Sequence, residues 1–450
     1  MKRIYISLIL LVFVFASCDV LDPEPQTSLD AETVLSNGAA AEAVLLGAYS
    51  RMQVGSYYGV EYVLNPGLIA DNTIFQGFFD SQLELDQRSV PYTNLWISTA
   101  WVNIYRVINI SNLLITEVPN IDDDAFATRD RVLGEAHAIR ALAYFDLLRV
   151  FGEHFDTSSP YGIPLLLEPV PDNDFNQIPD LARSSVEATY QQILDDLGVA
   201  ETLLAGFADR GKMNYWATLA LSARVHLYAR NYSEAFTYAN DVIENGPMSL
   251  VASIEELYGP DVTGFVSESI FDLEFNDQDQ SSLNTFTRVR DEYNADPDLV
   301  DAFHEDDARG ELFDQFGVRF KTNKYLNSDN ANNVRVLRLA EMYLIRSEAA
   351  VYSTATPDPN AGLADLNVIR NRAGLGDLDP FNSLDEYVDA LLLERRLEFN
   401  FEGHRFFDLV RFDKINEVLG MPDHRKVFPI PRNELLVSEN LEQNPQYPTP

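Results

Sequence analysis

Glu394-Arg395-Arg396-Leu397-Glu398-Phe399-Asn400-Phe401-Glu402-Gly403-His404-Arg405-Phe406-Phe407-Asp408-Leu409-Val410-Arg411 interleaves charges with large apolar side chains. Glu394, Glu398 and Glu402 recur every four residues, so on a helix they share one face. Arg405, Asp408 and Arg411 recur every three, which puts each carboxylate within reach of an arginine one turn away. Leu393, Leu397, Phe401, Phe406, Phe407 and Val410 set apolar surface beside those charges. A helix this charged and this apolar buries part of its ionic face, and buried charges must be paired. The stretch is therefore either an active site of carboxylates or a structural ion network that pins a helix into a core. The second reading is preferred, because a carboxylate held ionised by arginine makes a poor acid or base.

The chain has 450 residues, with a hydrophobic fraction of 46%, enough for a sizeable core. It carries 33 basic and 70 acidic residues, a net charge of -37. A field of that sign repels nucleic acid and anionic lipid and suits neutral or cationic ligands. The acidity is spread along the chain, as on a solvated surface rather than a disordered acidic tail.

Cys18 is the one cysteine, so no disulfide forms within the chain. Lys2 and Arg3 followed by the apolar run Ile4 to Ala16 read as a signal peptide over residues 1–17. Phe15-Ala16-Ser17-Cys18 resembles a bacterial lipobox, with Cys18 as the lipidation site. The acidic, Pro-containing residues 18–30 then form an extended tether, and the only contact with a membrane is through the N-terminal lipid.

The body divides into an N-terminal half, 31–245, and a C-terminal half, 246–450. Helices are expected at 31–53, 94–117, 126–151 and 183–205. The helix at 126–151 shows one apolar stripe, Ala138, Ala141, Leu142, Phe145 and Leu148. Residues 212–245 pack two amphipathic helices around a tight turn at Asn231-Tyr232-Ser233, the tetratricopeptide pattern, and 335–373 repeat the theme. Two irregular stretches interrupt the helices. The first, 54–96, is dense in Gly, Pro and aromatics. The second, 246–334, holds one short strand at Ser269–Phe275 in an Asp- and Asn-rich loop. The tail from Phe428 to Pro445 reads as extended, because of its prolines.

Gly206 to Lys212 spells G-x-x-x-x-G-K, but Met213 stands where a phosphate loop needs Ser or Thr, and a helix rather than a strand precedes it. No motif asks for a metal or a cofactor. Carboxylate pairs for glycoside hydrolysis cannot be singled out among so many acids; Asp71, Asp80, Glu84 and Asp86 are the ones to test. The aromatic insertion is more informative. A sugar offers an apolar C–H face and a rim of hydroxyls, which aromatic rings and Asp or Asn side chains match. Asp71, Asn72, Phe75, Phe78, Phe79, Tyr92 and Trp96 are therefore the candidate ligand-binding residues, with Trp96 as the exposed platform and Trp101 and Trp216 in the core. The bland alternative is a satellite core beneath a long loop.

Five motifs in order carry a family resemblance. They are Cys18-Asp19-Val20-Leu21-Asp22 before Pro23, Gly134-Glu135-Ala136 through Arg140-Ala141-Leu142-Ala143-Tyr144-Phe145-Asp146-Leu147, Leu337 to Ile345, Glu394 to Leu409, and Pro429-Ile430-Pro431 to Asn444-Pro445. Together they resemble the SusD/RagB-like outer-membrane lipoproteins. The resemblance implies a mainly α fold of four tetratricopeptide-like helix pairs, with loop insertions and a few short strands. It also implies a non-catalytic, lipid-anchored protein of the cell surface. Such a protein sits as a lid on a SusC-like TonB-dependent transporter in the outer membrane and captures glycans, or sometimes peptides. The runner-up is a SusD-like protein that binds a peptide or another nutrient, and a surface glycoside hydrolase ranks after it.

Overall fold

The computed structural model describes residues 35–170, 180–259, 262 and 264–450. Residues 1–34, with the signal sequence, Cys18 and the tether, lie outside that set. The fold is mainly helical: α1 (Gly38–Met52), α2 (Glu61–Ile69), α3 (Asp80–Asp86), α4 (Leu95–Glu117), α5 (Arg129–Phe151), α6 (Val186–Leu203), α7 (Tyr215–Tyr228), α8 (Tyr232–Asn245), α9 (Leu339–Tyr352), α10 (Leu363–Arg372), α11 (Leu384–Glu398), α12 (Arg405–Arg411) and the short α13 (Arg432–Val437). Five of these open on a Ser or Asn cap. Asn37, Asn94, Ser185, Asn214 and Ser383 each accept a backbone N–H three residues on, satisfying donors the helix itself leaves free.

The helices pack as pairs, α1 with α4, α5 with α6, α7 with α8 and α9 with α10. The α7–α8 turn falls at 229–231, where Arg230 takes a left-handed φ of 61°, so Tyr232 is already helical rather than in the turn. At the centre is α5. It is expected to bury one stripe, yet every residue from Ala138 to Phe151 is buried. A helix covered on all sides must pair its own charges. Arg140 does so with Asp196 of α6 at 2.8 Å. Asp146 accepts from the hydroxyls of Tyr57 at 2.6 Å and Tyr58 at 2.7 Å and from Arg149 at 2.5 Å. The C-terminal tail closes over the end of α5: the Phe428 N–H donates to Val150 O and the Asn444 amide to Phe151 O. It is not extended throughout, since Arg432–Val437 coil into α13.

Two small sheets follow, and the four-stranded one joins the halves. Strands β2 (Ser269–Leu273) and β6 (Val334–Arg338) form one antiparallel pair. Strands β1 (Thr73–Phe75), β3 (Tyr293–Ala295), β5 (Arg319–Thr322) and β4 (Phe313–Phe316) form the other, in the order β1-β3-β5-β4. Phe75 lies opposite Tyr293, and Phe316 opposite Arg319 across a two-residue hairpin. Gly317 opens that hairpin at φ 65°, where only glycine is unstrained.

The Glu394–Arg411 stretch forms the ion network expected of it, by a different route. It is not one helix. α11 ends at Glu398, the chain turns through Phe401 (φ 59°) and Gly403 (φ 83°), and α12 restarts at Arg405. The glutamates therefore do not pair with Arg405 or Arg411. Glu394 accepts from Arg309 at 2.6 Å. Glu398 accepts from Arg338 at 2.6 Å, from Arg309 at 3.2 Å and from Arg372. Glu402 accepts from Arg338 at 2.8 Å and from Lys324 at 2.5 Å. Asp408 takes Arg395 at 2.8 Å and Arg411 at 3.1 Å, and Arg411 also donates to Glu348 at 2.6 Å. The three glutamates, two on α11 and one in the turn after it, thus tie together strand β6, helix α10 and the segments around 309 and 324. Beneath Gly403 lies a cavity of about 20 Å³ lined by Tyr58, Tyr62, Arg149, Arg224 and His404. That is room for one water among polar partners.

Candidate functional site

Arg405 has a different partner, and it leads to the aromatic insertion. Its Nε and Nη2 donate to the two Asp71 oxygens at 2.7 and 2.9 Å. From α11, Arg396 reaches the same corner: its Nε donates to Asn72 Oδ1 at 3.0 Å and its Nη2 to Asp71 O at 2.5 Å. Burial raises the Asp71 carboxyl, but Arg405 and Arg396 outweigh it and hold it below the usual range. So Asp71 and Asn72, expected at the ligand, instead bolt the insertion to the ion network.

Two of the expected aromatic residues, Trp96 and Phe75, serve the core as well. Trp96 is 1% exposed, so it is not a platform. It lies in the first turn of α4, its Nε1 donates to Ser56 O at 3.2 Å, and its ring stands edge-on to Phe428 at 5.4 Å. Phe75 is buried against Tyr293, with ring centres 5.3 Å apart. A strand pairing sets this contact, because residues facing each other on β1 and β3 share one side. Tyr92 is half-buried, and its carbonyl accepts from the Arg432 N–H of the tail. Trp101 is buried against Phe151, and Trp216 is partly buried. The carboxylates suggested for hydrolysis also hold the loop together: Asp86 accepts the Phe75 N–H and Glu84 the Asn94 amide.

Phe78 and Phe79 remain. Phe78 is 74% exposed and Phe79 38%, with ring centres 4.9 Å apart and planes tilted by 31°. They are held in place from below. The Gln76 N–H donates to Glu292 O at 2.7 Å, extending the β1–β3 pairing by one residue. A Cβ on Gly77 would stand 2.4 Å from the Phe75 ring, so only glycine lets the chain turn over that ring to present the pair. Asp80 then starts α3 directly behind.

The second irregular stretch supplies the flank of this surface, and sequence reasoning placed no site residue there. Arg290 sits 5.1 Å over the Phe79 ring and 4.9 Å over Phe286, and its Nη2 donates to Glu292 at 2.5 Å. Next along, Asp291 pairs with Arg319 at 2.8 Å and Lys321 at 3.4 Å. Lys321 in turn lies 4.9 Å over Phe316 at the hairpin tip. The available signal was Arg288, Arg290, Arg319 and Lys321 set among Phe286, Phe316 and Phe320 in a chain otherwise rich in acids.

Glu61 marks how dry the base of the insertion is. Its carboxylate accepts from Gln82 at 2.7 Å, and burial pushes it up to about 7 against that hydrogen bond. With the folded value raised above the unfolded 4.5, the native state holds the proton more tightly. Its stabilising effect is therefore complete below pH 4.5 and is lost as pH rises through 7. Glu61→Gln should raise stability at pH 8 by about 1–2 kcal/mol and change nothing at pH 4. Urea titrations of both proteins at the two pH values check this. An equal effect at both would mean that folding leaves the Glu61 carboxyl at its unfolded value.

Among the described residues, no three His, Cys, Asp or Glu stand together as metal ligands, and no helix is long and apolar enough to cross a membrane. An open cleft of about 640 Å³ lies away from the aromatic pair, between Asp301–Asp307, Gly374–Asp377 and Leu393. Its Asp307 is already committed to Arg309 and its Arg370 to Glu394.

The chain is thus a helical-repeat scaffold that carries an exposed aromatic pair on a braced loop. Residues 317–428 match the SusD family, and residues 19–227 match the family described as starch-binding and associating with the outer membrane. The chain is 26% identical to SusD-like protein P38 of Formosa agariphila, with 99% of each chain covered. A solved SusD superfamily protein from Bacteroides thetaiotaomicron superposes with a TM-score of 0.79 at 25% identity, over 91% of this chain and 100% of that one. A solved laminarin-binding SusD-like protein gives 0.77 at 25% identity, over 92% and 100%. Models of the SusD family thus match both parts of the body, and the resemblance carried by the sequence motifs is borne out. The mainly α fold implied by its motifs is the observed one.

Proposed function

We propose that this protein captures a glycan at the cell surface on the Phe78–Phe79 pair, without cleaving it, and passes it to a SusC-like TonB-dependent transporter. The observation that carries the reading is two adjacent phenylalanines left in solvent on a loop whose other aromatics are buried, apart from the half-buried Tyr92. Exposed rings cost free energy unless something covers them, and the C–H face of a sugar is a fitting cover. The match to a family described as starch-binding and the likeness to a laminarin-binding protein support a carbohydrate. The lipobox at Cys18 supports an anchor in the outer membrane. Non-catalytic capture is supported by three of the four candidate carboxylates of the insertion, since Asp71, Glu84 and Asp86 have structural partners and only Asp80 is exposed without one among the described residues.

Phe79→Ala and Phe78→Ala should each weaken glycan affinity about tenfold, the effect of uncovering part of one aromatic side chain. Calorimetry of the purified variants against a glycan panel measures it. Unchanged affinity in both variants removes the site. Product release from the panel would replace capture with hydrolysis, and binding confined to peptides would replace the ligand.

A further inference from the structure

The ion pairs beside Phe79 are built with their cations outward. Arg290 has a side chain 35% exposed over a Glu292 that is 5% exposed. Arg319 is 40% exposed over an Asp291 that is 20% exposed. The third pair, Arg288 with Asp314, is turned the other way. Lys321 backs Asp291 from the hairpin and covers Phe316. One set of contacts joins Phe78, Phe79 and Arg290, another joins Asp291, Arg319, Lys321 and Phe316, and the chain neighbours Arg290 and Asp291 link the two. The resulting strip starts on the loops just after β1 and just before β3 and ends on β5 and β4, along one end of the four-stranded sheet. Three inter-strand steps across that sheet span about 14 Å. Phe316 is itself exposed, so both ends of the strip are aromatic.

We infer that the strip recognises an acidic glycan longer than a disaccharide, with carboxylate or sulfate groups received by Arg290 and Arg319 between the Phe78–Phe79 pair and Phe316. This rests on the glycan-binding reading and names its ligand class. The net charge of -37 points the other way, towards a neutral or cationic ligand. Distance decides between them. At physiological salt, charges farther off than about 8 Å are largely screened, whereas a guanidinium in contact with the ligand is not. Arginine also presents paired N–H donors that match a carboxylate or sulfate. The partner acids behind Arg290 and Arg319 fix those groups in place and leave their outer N–H bonds to a ligand.

Affinity electrophoresis of the purified protein through polygalacturonate, a sulfated galactan, laminarin and amylopectin separates the possibilities. We expect retardation by one or both acidic polymers, and which of them retards the protein distinguishes carboxylate from sulfate. Arg319→Gln, at an exposed position, should weaken that binding about tenfold. Raising NaCl from about 150 mM to about 1 M should weaken it too, since the long-range repulsion is already screened at the lower value. Retardation by laminarin or amylopectin alone, unaffected by salt and by Arg319→Gln, overturns the acidic ligand and leaves glycan capture standing. No retardation by any of the four polymers overturns both.

Discussion

Glu398→Ala is expected to cost about 3–5 kcal/mol, the penalty for removing one partner from a buried ion network. Glu398 is 1% exposed and accepts from Arg338, Arg309 and Arg372. Alanine there leaves three guanidiniums buried with too few acceptors. Glu268 cannot compensate: it already shares Arg338 and Arg372, and burial pushes its own carboxyl up. Burial raises Glu398 as well, but Arg372, Arg338, Arg309 and Lys324 outweigh it and hold the carboxyl well below its usual range. A carboxyl with a depressed folded pKa stabilises above its unfolded value near 4.5, and that contribution fades as pH falls through the folded value. The loss in Glu398→Ala should therefore be full at pH 7 and shrink under strong acid. Urea unfolding at pH 7 measures it, and a midpoint equal to that of the unsubstituted protein would show that the cations find other partners.

The helical frame was legible in the sequence because its signals are local. Caps such as Asn214 and Ser383, and the apolar spacing of α7 and α8, act within a few residues. The ion network was legible as a need for partners, but the partners were not. Arg309, Arg338 and Arg372 lie far from Glu398 in sequence, and nothing in the spacing announces them. The left-handed turn through Phe401 and Gly403 also breaks the expected helix where the apolar pattern runs on. Trp96 failed as a platform for a related reason. Whether an aromatic next to a loop is covered depends on what crosses it, and the tail residue Phe428 does so. The second flank, Arg290 to Phe316, was hidden because strand pairing between β1 and β3 brings two distant irregular stretches together.

Arg405→Ala is expected to cost about 3 kcal/mol and to weaken ligand binding at the same time. Arg405 is the two-pronged clamp on Asp71, and Asp71 ends the turn that leads into β1. Without it, Asp71 keeps only Arg396, at 3.3 Å. The insertion then loses its ionic tie to α12, and the Phe78–Phe79 pair loses part of the fixed base that holds it exposed. The penalty belongs to the pair rather than to either residue, so Asp71→Ala in the Arg405→Ala background should add little. Urea unfolding of the two single variants and the double variant gives that coupling, and hydrogen exchange should rise across 71–79 in each of them. A variant with unchanged stability and exchange but no binding would instead put Arg405 in direct contact with the ligand. The charged stretch would then be part of the site rather than its support.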